Sequence, residues 1–192
     1  MPDTPRPPQV RLALPAEAAA IAALQRRCWD ADLPEDLRGW LLTEADLGDL
    51  TEVWYGAVTA PPEARCRVLV AIAGTEDGGA PGATPPIVGF VTTEPASDPD
   101  SDPSQDGELG EWLVDPAARS QGHGSRLLNA AVDTLRADGF RRATIWVAST
   151  DDGRRKLLTG AGWAADGGHR ELGPERDVTL KQVRLHSDIT ED

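Results

Sequence analysis

Cysteine is scarce in this chain of 192 residues, which has two, Cys28 and Cys66. They offer neither the spacing of a metal site nor a disulfide framework, so both read as reduced thiols in a cytoplasmic protein. Tyrosine occurs once, at Tyr55. Positive charge is also in deficit, with 19 Lys and Arg against 32 Asp and Glu and a net charge of -13. That balance argues against DNA, RNA or an anionic membrane as a partner, and leaves cationic partners or simple solubility. No apolar run approaches the length that spans a bilayer. Residues 1–9 are polar, hold four prolines and have no apolar run behind them, so they read as a disordered tail with no secretory signal. There is no internal repeat and no Ser-His-Asp arrangement. His169 and His186 have no partners in sequence, and no metal site is expected.

Hydrophobic residues make up 40% of the chain, enough for one α/β core; two domains would be cramped. A single domain is expected over residues 10–186, followed by an acidic tail at 187–192. Val10–Leu14 alternates like a strand, and Pro15 is suited to the first turn of a helix, expected over Ala16–Trp29. One or two further helices are expected over Leu33–Thr43 and Glu44–Thr59, with Leu37, Trp40, Leu41, Leu47, Leu50, Val53 and Trp54 facing the core. Arg67–Ala73 and Ile87–Thr93 read as antiparallel strands around a turn-rich loop at Gly74–Pro86. Pro95–Gly107 is a long segment with almost nothing apolar, and Glu94–Glu111 carries seven acids and no base. It reads as a solvated charge run or, functionally, as an acidic rim that attracts an amine.

Glu108–Leu128 is the most informative stretch. Leu109, Trp112, Leu113 and Val114 make a strand, and Asp115-Pro116 ends it, since proline donates no ladder hydrogen bond. The turn Arg119-Ser120-Gln121-Gly122-His123-Gly124 follows. A helix is expected from near Ser125, with Leu127, Leu128, Ala131, Val132 and Leu135 as its apolar face and Gly139 at its end. Arg141–Ala148 is the next strand, parallel to the previous one because a helix joins them. A short helix over Asp152–Ala161 and a closing strand over Glu175–Leu185 complete the order β-α-α-β-β-β-α-β-α-β.

Strand, glycine turn and helix together make an anion site: glycine lets a ligand approach the backbone, and the first helical amides point outward unpaired. The turn lacks the Gly-Lys-Ser/Thr ending of a P-loop and the third glycine of a dinucleotide fingerprint. It does match Arg/Gln-x-x-Gly-x-Gly/Ala, as Arg119, Gly122 and Gly124. On these residues the chain resembles the GCN5-related N-acetyltransferase family, in which this turn holds the pyrophosphate of acetyl-CoA. The weaker Ala161-Gly162-Trp163 resembles a Gly-Phe of the same family. The resemblance is strongest over residues 87–164. It implies a mixed α/β sheet of six or seven strands, splayed between the strands at Glu108–Val114 and Ala143–Val147, with helices on both faces.

The resemblance further implies acetyl-CoA as co-substrate, no metal, and a small-molecule or protein amine as acceptor, acetylated by direct transfer in a monomer or homodimer. Leu113 and Val114 would meet the pantetheine arm, with the amide near Val114 at the thioester carbonyl. Arg119, Ser120, Gln121, Gly122, His123, Gly124, Ser125 and Arg126 would surround the phosphates. Arg154, Arg155 and Lys156 form a second cationic group on that side, or a solvated helix face. Asp151 stands where the family often has an asparagine. A base is needed to deprotonate the amine, and Glu108 and Glu111 are the candidates on the strand. The usual tyrosine that protonates the leaving thiolate is replaced by Leu158, which cannot donate a proton. The thiolate then leaves unassisted, or the protein is a non-catalytic acyl-CoA sensor on the same fold; a domain binding another phosphate compound is a third reading.

Overall fold

The computed structural model describes residues 7–74, 85–175 and 178–190. In chain order these contain β1 (Gln9–Leu12), α1 (Ala18–Asp32), α2 (Glu35–Glu44), α3 (Leu47–Thr59), β2 (Arg67–Ile72), β3 (Ile87–Pro95) and β4 (Asp106–Val114). There follow α4 (His123–Ala137), β5 (Arg142–Ala148), α5 (Asp152–Gly160), β6 (Ala164–Glu175) and β7 (Val178–Asp188). The sheet runs β1-β2-β3-β4-β5-β7-β6, and only β4 and β5 are parallel. The crossover helix α4 imposes that direction.

Alternation along the strands decides the layering. In β2, Val68, Val70 and Ile72 turn to one face, where they pack with Ile21, Leu24 and Cys28 of α1 and Leu50 and Trp54 of α3. Leu69 and Ala71 turn to the other, where Leu127, Leu128, Ala131 and Leu135 of α4 meet Leu158 and Trp163. A strand covered on both faces has no polar side, hence its unbroken apolar run. α1 ends where the residue before Pro34 is pushed to extended geometry: Leu33 has ψ 150°.

The β4–β5 ladder pairs Asp106 with Arg142 through Leu109 with Ile145 and goes no further. Beyond it the strands part, as the expected splay requires. On its other edge β4 carries a bulge: Thr92 faces both Gly110 and Glu111, because the register shifts between Val91–Trp112 and Thr93–Leu109. The Thr92 hydroxyl accepts the Glu111 N–H at 2.9 Å and so satisfies an amide that the bulge takes out of the ladder.

Several expectations are corrected. The first strand starts at Gln9 and ends at Leu12. Trp40, Leu47 and Val53 do not face the core; they are exposed, because α2 and α3 bury only a narrow stripe containing Leu37, Leu50 and Trp54. α4 begins at His123 rather than near Ser125, with Gly122 capping it. A whole strand, β6, paired to β7, lies between the short helix and the expected closing strand, where no element is expected. β7 extends to Asp188, so Ser187 and Asp188 pair with Ala143 and Arg142, and Ile189 is buried in the core rather than lying in a tail. Residues 1–6, 75–84 and 191–192, where a tail, a loop and a tail end are expected, lie outside the described residues.

The acidic segment before β4 is largely exposed, as a solvated run would be, but it is anchored. Arg184 of β7 is 6% exposed, and its guanidinium binds Asp98 at 3.2 Å, Asp100 at 2.6 Å and Asp166 at 2.9 Å. Asp98 also accepts the Trp146 indole N–H at 3.0 Å. Asp102 accepts the Ser104 amide, and Asp106 accepts the Asp102 amide. A buried guanidinium needs this many acceptors to offset its lost hydration, and in meeting that need it ties the loop to the sheet.

Candidate active site

β4 carries the site, and its two halves hold different parts. At its C-terminal end the strand leads through Asp115-Pro116 into the glycine turn. Asp115 N–H bonds back to Val88 O at 2.9 Å, so by strand alternation the N–H groups of Val114 and Trp112 face away from β3, toward the side that β5 has left. Val114 O faces the same way and takes weak contacts from Cys28 Sγ at 3.4 Å and Arg119 Nε at 3.3 Å. Leu113 points to the opposite face and packs with α1 and α3.

Gly122 sits at φ 80° and caps α4 with no side-chain hydrogen bond. The first intrahelical bond is Arg126 N to Gly122 O at 3.1 Å, which leaves the amides of His123, Gly124 and Ser125 without helical acceptors. Ser120, at φ 62°, holds a left-handed conformation that costs a non-glycine residue about 1 kcal/mol or more. A Cβ at Gly124 would stand 3.6 Å from Trp112 and 3.7 Å from Val114, so the helix start lies close against the end of β4. His123 is 4% exposed, and burial, with Arg126 nearby, lowers its pKa. Its contribution to the turn is therefore a backbone amide and a neutral ring.

The side chains expected to carry phosphate are already engaged. Arg119 forms a bidentate pair with Asp32 at 2.8 and 2.7 Å, which pins the turn to the end of α1. Arg126 bonds Gln121 O at 3.0 Å. Asp151 caps α5 through the Arg154 amide at 2.8 Å. Arg155 and Lys156 are exposed, whereas Arg154 lies over the Trp112 ring with its guanidinium carbon 5.6 Å from the centroid. The turn is thus a cradle of backbone donors, with its cations held beside it.

At the N-terminal half of β4, Glu108 and Glu111 line one cavity of about 460 Å³ together with Glu94, Trp54, Trp146 and Arg170. Glu108 is 6% exposed and its Oε2 has no hydrogen-bond partner. Burial, reinforced by Asp98, pushes its pKa up to about 7, with Arg170 opposing. Glu111 is raised by burial, with Arg154 and Gln25 pulling the other way. Glu94 is raised by burial alone. The structure brings the two expected carboxylates into one cavity and adds a third, Glu94, which belongs to β3 and stands directly across from Glu108. Arg170 and Leu172, from β6, also line the cavity. The sequence carries no signal for them, because β6 itself is not legible.

Leu158, at the position of the family's tyrosine, is fully buried in the core under α5. Tyr55 is 54% exposed and is not among the residues that line the cavity. Among the described residues no group of three His, Cys, Asp or Glu could hold a metal ion, and no helix is long and apolar enough to cross a membrane.

Residues 21–163 match the acetyltransferase (GNAT) family model. Among solved structures, an N-acetyltransferase from Staphylococcus aureus Mu50 superposes with a TM-score of 0.70 at 17% identity, over 95% of this chain and 99% of that one. A Salmonella typhimurium protein solved with its cofactor acetyl-CoA gives 0.67 at 19% identity, over 96% and 95% of the two chains. An N-acetyltransferase from Thermoplasma acidophilum in complex with coenzyme A gives 0.62 at 12% identity, over 94% and 98%. At these identities the likeness is one of fold. No curated protein matches the sequence.

Proposed function

The chain belongs to the GNAT acetyltransferase family, and from that premise we propose that it moves an acetyl group from acetyl-CoA directly to a primary amine, with Glu108 as the base. The observation that carries this reading is the orphaned carboxylate. Glu108 Oε2 is buried without a partner, in a cavity on the strand that leads to the phosphate turn. A buried carboxylate oxygen without a donor costs stability, which a bound ammonium would recover. A pKa of about 7 suits it to take a proton from an ammonium near neutral pH.

The turn fits a pyrophosphate by its geometry: three outward amides at the start of α4, a left-handed glycine before them, and Gly124, without a side chain, among the donors. Bound there, acetyl-CoA would supply the acetyl thioester, its arm lying along the open edge of β4 like an added strand. The Trp112 and Val114 amides face that opening. Trp112, one residue past the bulge, is the nearer of the two to the glutamates. Val114 lies about 7 Å further toward the turn by strand rise. With Glu108 as base, the Trp112 amide is therefore the better placed to stabilise the carbonyl oxygen as it gains charge. The acceptor nitrogen would sit between that amide and Glu108, losing its proton to Glu108 directly or through one water.

With Leu158 in the core, the thiolate leaves without a protein acid, which its pKa near 8.5 allows. The test is release of free CoA thiol against a panel of amines, with Glu108→Gln and Glu111→Gln beside wild type. Turnover lost in Glu108→Gln and retained in Glu111→Gln is expected. Turnover lost only in Glu111→Gln would reassign the base, and binding of acetyl-CoA without turnover on any amine would make the protein a sensor.

A further inference from the structure

Resting on that reading of the cavity as the acceptor site, we infer that Glu94 is a specificity-determining residue and that the acceptor is a small aliphatic amine with a second cationic nitrogen, held by Glu94 while Glu108 receives the proton of the reacting one. The argument begins with register. Glu94 and Glu108 are cross-strand neighbours in the β3–β4 ladder, and both line the cavity. Like charges in that relation repel at Cβ separations of about 5 Å. A chain that keeps such a pair half-buried or buried leaves a debt that a bound cation can cancel.

Among the described residues only Arg170 opposes it, and it acts on Glu108 rather than on Glu94. Burial raises Glu94 with no opposing influence, and Glu108 keeps an unpartnered oxygen. Three arginines also line the cavity, but each is committed elsewhere. Arg67 pairs with Asp138 through two bonds, Arg154 pairs with Asp151 at 3.4 Å, and Arg170 donates to Gln182 at 2.8 Å while stacked 4.3 Å over the Trp146 ring. With Arg170 set against Glu108 and Arg154 against Glu111, Glu94 alone has no counter-charge, and Glu108 beside it keeps its unpartnered oxygen. A monoamine offers one positive charge to that pair; a diamine offers two, with an apolar stem that lies against Trp54, Trp146 and Leu172. An amine with a carboxylate tail would meet like charge.

The bulge explains how Glu94 reaches into this space. A Cβ on Gly110 would stand 2.8 Å from Glu94 Oε1 and 2.6 Å from Thr92 Oγ1. The absence of a side chain at Gly110 is what lets the Glu94 carboxylate lie across the bulge, next to the reacting end.

The test compares kcat/KM for 1,4-diaminobutane, butylamine and 4-aminobutyrate in wild type, Glu94→Gln and Gly110→Ala. Wild type is expected to prefer the diamine by about tenfold or more, the worth of one charge-assisted contact. Both variants are expected to collapse that ratio through a higher KM for the diamine. Gly110→Ala does so by displacing Glu94 without changing its charge. Equal use of butylamine, preference for 4-aminobutyrate, or a ratio that survives both substitutions would overturn the inference. A lysine-containing peptide preferred over the free diamine would keep the role of Glu94 and overturn the small acceptor. If no amine turns over, the acetyl-transfer reading fails, and calorimetric titration with 1,4-diaminobutane and butylamine decides the role of Glu94 by itself: tighter diamine binding, lost in Glu94→Gln, supports it, and equal binding overturns it.

Discussion

The two ends of β4 are built on opposite plans. At the C-terminal end the open donors are backbone amides and the nearby arginines are already engaged, Arg119 with Asp32 and Arg126 with a carbonyl, while burial lowers the pKa of His123. At the N-terminal end side chains line the space, and three carboxylates share one cavity, of which Glu94 has no opposing charge and Glu108 has an unpartnered oxygen. The difference follows from what each end meets. Under the proposed function a pyrophosphate would be the same in every turnover, so a fixed array of amides would serve it. An amine must be bound charged and used neutral, which calls for groups whose proton affinity has been raised.

The comparison can be broken most severely at Arg184. Arg184→Ala leaves Asp98, Asp100 and Asp166 facing one another and should cost about 3–5 kcal/mol in urea unfolding, with new proteolytic cleavage in the acidic loop. Glu108→Gln should lower kcat roughly 10²–10⁴-fold in thiol release, with no loss of melting temperature, because it removes a buried charge rather than a contact. The same group sets a pH signature. Its pKa rises from 4.5 to about 7 on folding, so the folded state holds the proton more tightly. Its contribution to stability therefore falls as pH rises from 4.5 through 7, while kcat/KM rises as the base is freed; Glu108→Gln should flatten both profiles.

At the other end, Gly124→Trp should abolish the thermal shift given by acetyl-CoA. At a ligand concentration of 100 Kd, that shift corresponds to about 2.7 kcal/mol. Wild-type turnover without any such shift would sink the assignment of the turn. The smallest effect is expected from Asp32→Asn. Freeing Arg119 from an exposed ion pair worth about 1 kcal/mol or less should tighten acetyl-CoA a fewfold by calorimetry if that arginine can turn to phosphate. No change would leave the amides as the whole site.

The legibility of the two ends differs for the same reason. The turn was readable because its determinants are contiguous: Pro116 stops the strand, Gly122 takes φ 80°, and the apolar spacing of Leu127, Leu128, Ala131 and Leu135 declares the helix. Glu108 and Glu111 could be placed on β4 by counting from that turn. Glu94 could not be singled out from the surrounding acids, because what distinguishes it is a ladder partner on another strand. β6 was hidden by Gly167, Gly168 and Gly173, and with it Arg170 and Leu172. The acidic loop is solvated over most of its length, and its anchoring is illegible because the counter-charge, Arg184, lies more than eighty residues away in sequence.

What the sequence determined by itself was the family, the fold class and the glycine turn between β4 and α4, since periodicity, proline and glycine act over a few residues. Tertiary structure decided which charges meet. Arg119 is spent on Asp32, the acidic loop is closed on Arg184, and Glu94 is set against Glu108 in a cavity that buries Glu108 and half-buries Glu94. Burial and like-charge repulsion depend on distance in space, and no pattern along the chain encodes that distance.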